Sequence, residues 1–256
     1  MDLPVNRLKR ALREGRKQIG FWSQLASPIA AELLAGSGFD WIVLDTEHSP
    51  AELTTVHAQL QAMSGGAASA VVRPVWNDPV VFKRLLDIGV QSLLVPFVQN
   101  ADEARRAVAA TRYQPEGLRG FAGVIRANDY GRVKDYHVRA HEEVLLMVQL
   151  ETRVALSNLE SIAAVEGVDG LFIGPGDLAA DLGHLADTGH PDVRAVIDRT
   201  LERIRATGKI AGILAPVETD ARQWLEGGCQ LVAVGSDVGL LARQSEKLAE
   251  RFKNMK

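Results

Sequence analysis

The sequence predicts an α/β protein, a (β/α)8 TIM barrel, and three observations carry that expectation. Eight short aliphatic runs alternate with eight amphipathic stretches along the chain. Most runs are apolar throughout rather than alternating with polar residues, as strands buried on both faces must be. The residues closing several runs are His, Arg, Glu and Asp, and parallel strands of one barrel would bring them to a single rim. A doubly wound open sheet is the competing arrangement, but it needs no eighth repeat, and no GxGxxG follows the first run.

Taken in order, the chain opens on an amphipathic stretch around 5–16, read as an extra helix before the first strand. The strand candidates are GFW (20–22), WIVLD (41–45), SAVVR (69–73), SLLVP (92–96), LLMVQL (145–150), LFIG (171–174), AGIL (211–214) and LVAVG (231–235). The helical stretches between and after them are 29–38, 51–63, 79–89, 101–111, 158–167, 193–208, 218–228 and 238–253. Several end on glycine, which takes the left-handed conformation that stops a helix. Two segments exceed the minimal barrel: Tyr113–His141 after the fourth strand, and Gly183–Pro191 after the sixth. Long loops after strands lie over a barrel's active face, and both segments are expected there. No linker rich in Pro, Gly or Ser divides the chain, so residues 1–256 read as one barrel domain.

Composition narrows the function. The 256 residues are 46% hydrophobic and 24% charged with a net charge of −3, so no basic footprint recommends nucleic acid. The single cysteine, Cys229, excludes an intrachain disulfide and a thiolate metal site, and fits a reducing cytoplasm. The first eighteen residues lack the apolar core of a signal peptide, and no apolar run approaches the ~18–20 residues a membrane span needs. A cytoplasmic protein without membrane or nucleic-acid partners is expected.

Glu151 and Asp177 follow consecutive strands, five and six, and should be neighbours on the rim. Either alone reads as a helix cap or a surface acid; together they suit Mg2+ or Mn2+, hard cations that leave positions open for substrate. Gln149, two residues before Glu151, projects from the same side of the strand, to bind substrate or to fill the barrel's upper layer. In GPGD (174–177), glycines allow close backbone approach, and N–H groups at a helix start attract an anion. The plainer reading of GPGD is a tight turn into a helix capped by Asp177. Arg73 needs an anionic partner at the end of a buried strand, either a ligand or a barrel acid. His48, in DTEHS, is a candidate general base or acid, or a loop histidine at the surface. No lysine ends any run, so a Schiff base has no amine at the rim, which favours a metal as electron sink.

FDWIVLDTEHSP (39–50), DIGVQSLLVPFVQNADEA (87–104), GLRGF (117–121), VQLETR (148–153) and VEGVDGLFIGPGDLAADLG (165–183) together resemble the 4-hydroxy-2-oxoheptanedioate aldolase family. These are class II, metal-dependent pyruvate aldolases, including 2-dehydro-3-deoxyglucarate and 2-keto-3-deoxy-rhamnonate aldolases, and the resemblance covers nearly the whole chain. It implies a barrel assembled as a homo-hexamer, with the last helix packed on a neighbouring subunit. It implies a divalent metal ion (Mg2+, Mn2+ or Co2+) on Glu151 and Asp177. Pyruvate would lie beside Gln149, with its carboxylate at the backbone of Gly176 and Asp177. Arg73 matches the arginine that stabilises the enolate oxygen, and His48 the catalytic histidine. Asp87 matches an acid that pairs with such a histidine across a subunit boundary. Where this chain has Gly176 the family commonly has alanine. Trp22, Phe121 and Leu214, with Asp45 nearby, would line the pocket of the aldehyde. Reversible cleavage of a 4-hydroxy-2-oxo acid to pyruvate and a short aldehyde is the expected reaction, in aromatic or sugar acid catabolism. A coenzyme A thioester lyase of the citramalyl or malyl type, a 2-oxo acid decarboxylase or isomerase, and a metabolite-binding barrel are the alternatives.

Overall fold

The computed structural model describes residues 1–255. Helix α1 (Arg7–Arg13) precedes β1 (Gln18–Ser23), and the chain then runs α2 (Pro28–Ala35), β2 (Trp41–Asp45), α3 (Leu53–Ala62), β3 (Ser69–Arg73), α4 (Pro79–Asp87), β4 (Ser92–Val95) and α5 (Ala101–Thr111). The second half holds α6 (Tyr136–Arg139), β5 (Leu145–Leu150), α7 (Arg153–Ser157), α8 (Leu159–Ala163), β6 (Gly170–Ile173), α9 (Pro175–Asp181), α10 (Pro191–Ala206), β7 (Ile210–Leu214), α11 (Glu218–Glu226), β8 (Leu231–Ser236) and α12 (Asp237–Lys253). The eight strands are parallel and pair in sequence order, with β8 returning to β1 to close the barrel. The (β/α)8 expectation stands.

Local chemistry sets the helix starts. Ser27, Asp78, Asn100, Thr152 and Ser236 each accept a hydrogen bond from a backbone N–H of the turn they cap. Proline opens α2, α4, α9 and α10, where its missing N–H costs no intrahelical bond. After α4 and α10 the backbone turns back through Gly89 (φ +97°) and Gly208 (φ +75°), in the left-handed region that glycine enters freely. No helix among the described residues is long and apolar enough to cross a membrane.

The pleat divides each strand's residues between two cores. Ile42, Leu44, Val72, Leu146, Val148 and Ile173 point outward and pack under the helices. Trp22, Trp41, Val43, Val71, Met147 and Phe172 point into the barrel. Three large rings share that interior, with Trp41 edge-on to Phe172 at 6.4 Å and Trp22 tilted against it at 5.9 Å. Glycine on a neighbouring strand leaves them room: a Cβ at Gly20 would lie 2.1 Å from the Trp41 ring, and one at Gly212 would lie 2.4 Å from Phe172.

Helix α1 closes the end where the strands begin. Its Leu8 and Leu12 join the interior core. Asn6 donates to Gln91 O, Ser92 Oγ and Glu143 O, each at 3.0 Å, and Lys9 donates to Val144 O and faces Asp169 at 3.5 Å. Burial pushes the Lys9 amine down, and the charge of Asp169 works against that.

One expectation is corrected. Tyr113–His141 does not cover the active face, because α5 carries the chain back to the opposite end before that segment begins. There Ala127, Val133, Tyr136 and Ala140 pack on Leu3, and Arg126 donates to Ile88 O at 2.6 Å. Gly183–Pro191 follows the short α9 and runs into α10, which begins at Pro191.

Gly20→Ala should force Trp41 against Phe172 and lower stability by about 1–3 kcal/mol, the range for overpacking a filled core. Urea denaturation followed by tryptophan fluorescence measures it.

Candidate active site

Inward parity places polar side chains at the barrel's mouth. Val43 points in, and so does Asp45 two residues on; Val71 is likewise followed by Arg73, and Met147 by Gln149 and then Glu151. The register sets Asp45 of β2 beside Arg73 of β3. Arg73 Nε and Nη2 donate to the two oxygens of Asp45 at 2.8 and 2.7 Å, a bidentate pair of buried residues. Asp45 also accepts from Trp22 Nε1 (3.2 Å), Gln24 Nε2 (3.2 Å) and the backbone N–H of Glu47 (3.1 Å) and His48 (3.4 Å). Burial works against charge on Asp45, but the hydrogen bonds and charge of Arg73 outweigh it and hold the carboxyl below its ordinary range. Arg73 is likewise buried, and Asp45, then Glu47 and Glu151, keep it charged. Its guanidinium lies 5.1 Å from the Trp22 ring centroid.

Glu151 stands across the mouth and is 2% exposed. Its Oε2 accepts from Phe97 N–H at 3.0 Å and its Oε1 from Gln149 Nε2 at 2.6 Å. Phe97 reaches that position with φ +53°, a left-handed conformation that strains a bulky residue, while its ring stacks on Trp76 at 5.9 Å. Gly174 allows Glu151 to lie flat against the chain leaving β6, since a Cβ there would sit 2.3 Å from Oε1. Burial pushes the Glu151 carboxyl up to about 7; the Phe97 N–H opposes that, and the charges of Glu47 and Asp177 add to it.

Asp177 sits in the first turn of α9, and the first backbone bond of that helix comes from Leu178 N to Gly174 O at 3.1 Å. The N–H groups of Gly176 and Asp177 lie before it, without intrahelical acceptors. Gly176 has no atom within 4 Å of a Cβ position, so alanine fits. His48 is exposed, with Nε2 3.9 Å from Glu47 Oε2. Glu47, which the sequence reading passes over, lies 3.0 Å from Arg73 Nη1 in an ion pair whose angles do not make a hydrogen bond. Burial raises its carboxyl, and Arg73 and then His48 offset only part of that.

Of the residues expected together, His48, Arg73, Gln149, Glu151, Gly176, Asp177, Trp22 and Leu214 share this end of the barrel. Asp45 shares it too, but its oxygens are taken by Arg73, Trp22, Gln24 and backbone, so it anchors the arginine instead of lining an open pocket. Asp87 and Phe121 are elsewhere. Asp87 ends α4 and pairs with Arg119 at 2.9 Å, and Phe121 packs on His137 at 4.5 Å, both on the end where the strands begin. A separate group, His184, His190 and Asp192, brings three ligand-type atoms within 4.8 Å in the α9–α10 connection, with the two imidazoles stacked at 3.6 Å.

The mouth fits a hard divalent cation. Asp45 and Glu47 share Arg73, while Glu151 and Asp177 have no ion-pair partner among the described residues. Two buried oxygens, Glu47 Oε2 and Gln149 Oε1, lack hydrogen-bond partners. An all-oxygen donor set of this kind suits Mg2+ or Mn2+.

Residues 18–244 match the model of the HpcH/HpaI aldolase/citrate lyase family. The chain belongs to that family. A pyruvate aldolase of Rhizobium etli is 55% identical over 98% of this chain and 99% of its own length. A 5-keto-4-deoxy-D-glucarate aldolase of Salmonella paratyphi C is 51% identical over 97% of each chain. Among solved structures, an HpcH/HpaI family protein from Burkholderia cenocepacia superposes with a TM-score of 0.93 at 39% identity, covering 97% of this chain and all of the other. A citrate synthase, SbnG, superposes at 0.86 with 27% identity over 96% of this chain and 98% of its own. This HpcH/HpaI member is a class II aldolase, a carbon–carbon lyase.

Two outcomes follow from the geometry. Gly174→Ala should displace Glu151 by about an ångström and lower aldolase turnover about 10²-fold, while Gly176→Ala stays near the parent; steady-state kinetics compares them. In the cation-free protein, the folded state holds the Glu151 proton that the unfolded chain releases near its ordinary value. That contribution is whole below the unfolded value and is lost as pH rises through about 7. Thermal melts in chelator should therefore fall across that window, and Glu151→Gln should flatten the fall and gain up to about 3 kcal/mol at pH 8.

Proposed function

We propose that this HpcH/HpaI aldolase cleaves a 4-hydroxy-2-oxo acid reversibly to pyruvate and a short aldehyde, with a divalent metal ion (Mg2+, Mn2+ or Co2+) on Glu151 and Asp177. The observation that carries the reading is the uncompensated carboxylate group facing an arginine at the barrel mouth. The names of the Rhizobium etli and Salmonella relatives support the reaction type. Residues 1–256 are read as one functional domain.

A bound divalent cation would supply Lewis-acid polarisation of the 2-keto oxygen. Arg73, held rigid by Asp45, donates to that oxygen as negative charge gathers there. The N–H groups of Gly176 and Asp177 receive the substrate carboxylate, and the Gln149 side chain flanks it. His48 takes the proton of the 4-hydroxyl; the C3–C4 bond breaks, the aldehyde leaves, and the bond's electron pair passes into the enolate. His48, directly or through water, returns that proton to C3, which gives the methyl group of pyruvate. Trp22 and Leu214 form the apolar wall nearest the aldehyde.

Asp87 and Phe121 enter this scheme only from a neighbouring copy, since their own chain holds them at the other end of the barrel. A homo-hexamer supplies that neighbour. Leu240, Leu241 and Phe252 of α12, all more than half exposed, form an apolar stripe suited to packing on another subunit. A cytoplasmic enzyme of sugar acid or aromatic catabolism is the corresponding setting.

The test is pyruvate release from a panel of 4-hydroxy-2-oxo acids, with and without chelator. Glu151→Ala and Asp177→Ala should abolish metal-dependent turnover; full activity in chelator overturns the reading. Arg73→Ala should lose about 10²-fold or more in kcat. His48→Ala should slow deuterium exchange into the pyruvate methyl group, and unchanged exchange reassigns the base.

A further inference from the structure

Glu47 is the acid of the mouth that neither the barrel nor the proposed reaction accounts for. It follows β2 by two residues, its side chain is 11% exposed, and its Oε2 is buried without a hydrogen-bond donor. A buried carboxylate oxygen left unpaired costs stability, so its retention calls for a partner. Arg73 supplies only part of one. Nε and Nη2 of that guanidinium are aligned on Asp45, and the remaining Nη1 approaches Glu47 at 3.0 Å off the hydrogen-bonding direction. His48 Nε2, at 3.9 Å, is too far to bond.

The second observation lies across the mouth. Gln149 is 2% exposed and spends its Nε2 on Glu151, which leaves its Oε1 buried and unpaired as well. Two orphaned oxygens therefore lie at the mouth, one of them on the side chain that is bonded to Glu151. The charge of Glu47 is felt at Glu151, and that of Asp177 at Glu47, so the three carboxylates share one field. They do not, however, gather as a set within 4.8 Å, the spacing of a directly coordinating trio. Glu47 is held toward the arginine side of the mouth, 3.0 Å from Arg73 Nη1.

We infer that Glu47 is an outer carboxylate of the cation site, raising affinity for the dication by its charge while Glu151 and Asp177 supply the direct oxygens. The inference rests on the cation reading given above and adds a residue to it. Outer partners of this kind are worth about 10–100-fold in metal affinity. The same carboxylate steers Arg73 Nη1, so a dication drawn toward Glu47 loosens the one terminal nitrogen of the arginine that Asp45 leaves free. Glu47 is thus a positioning residue, acting on the cation and on Arg73 and not on the substrate.

Titration of the 256-residue protein with Mn2+ alone, read as loss of the free-ion paramagnetic resonance signal, tests this without turnover. Glu47→Gln keeps the shape and removes the charge; it should weaken Mn2+ binding about 10–100-fold. Glu47→Asp keeps the charge and should stay within a few-fold of the parent. Circular dichroism checks the fold, and if Glu47→Gln does not fold, Glu47→Ala serves in its place. Parent-like Mn2+ affinity in the charge-removed variant overturns the inference. Glu151→Gln run alongside separates the two levels. If it loses Mn2+ while Glu47→Gln keeps it, only the role of Glu47 fails. If both keep it, the cation site itself is misplaced.

Discussion

The two-residue period of a β-strand, imposed on a closed parallel barrel, governs this molecule. Once Trp41 and Val43 face the interior, Asp45 must face it too, and the same parity carries Arg73, Gln149 and Glu151 to the mouth. A slip of one residue in any of these strands would turn the reacting groups under the helices and the outward leucines into the lumen. The packed interior guards against that slip, because Trp41 and Phe172 fit only where Gly20 and Gly212 leave room. Core packing and active-site assembly are therefore one requirement.

Electrostatics then divides the mouth in two. Asp45 and Arg73 form a satisfied pair: six hydrogen bonds converge on one carboxylate, and both groups stay ionised despite burial. Opposite them, buried Glu151 and the mostly covered Glu47 lack cationic partners enough to hold their charge, and both are pushed toward their neutral forms. One side is finished within the protein, and the other calls for something from solution. The left-handed turn at Phe97 belongs to the unfinished side, where backbone strain is retained to aim one N–H at Glu151.

Much of this was legible in the residues. Apolar runs without alternation give the parallel barrel, and Glu151 and Asp177 stand out because acids close consecutive runs. Strand ends are less visible: β1 begins at Gln18 and β8 extends to Ser236, since polar residues can pair at a barrel's edges when the pleat suits them. The part of Asp45 was hidden because it depends on the register that sets it beside Arg73, a fact about two strands and not about either sequence. Glu47 could have been noticed, since three ionisable groups crowd DTEH directly after a strand. Counting from β4 alone puts Tyr113–His141 at the wrong end, because α5 reverses the chain first. Asp87 and Phe121 come from resemblance alone, and no folding rule for a single chain would bring them to the mouth.

The helix that stops the lower end has a kinetic corollary. With Trp22, Trp41 and Phe172 packed in the interior, Leu8 and Leu12 beneath them, and Asn6 and Lys9 latched to the strand starts, the barrel is closed below its mouth. Whatever enters must back out by the same route. On the proposed reaction, pyruvate and the aldehyde leave through the same mouth, and in the synthetic direction both enter by it.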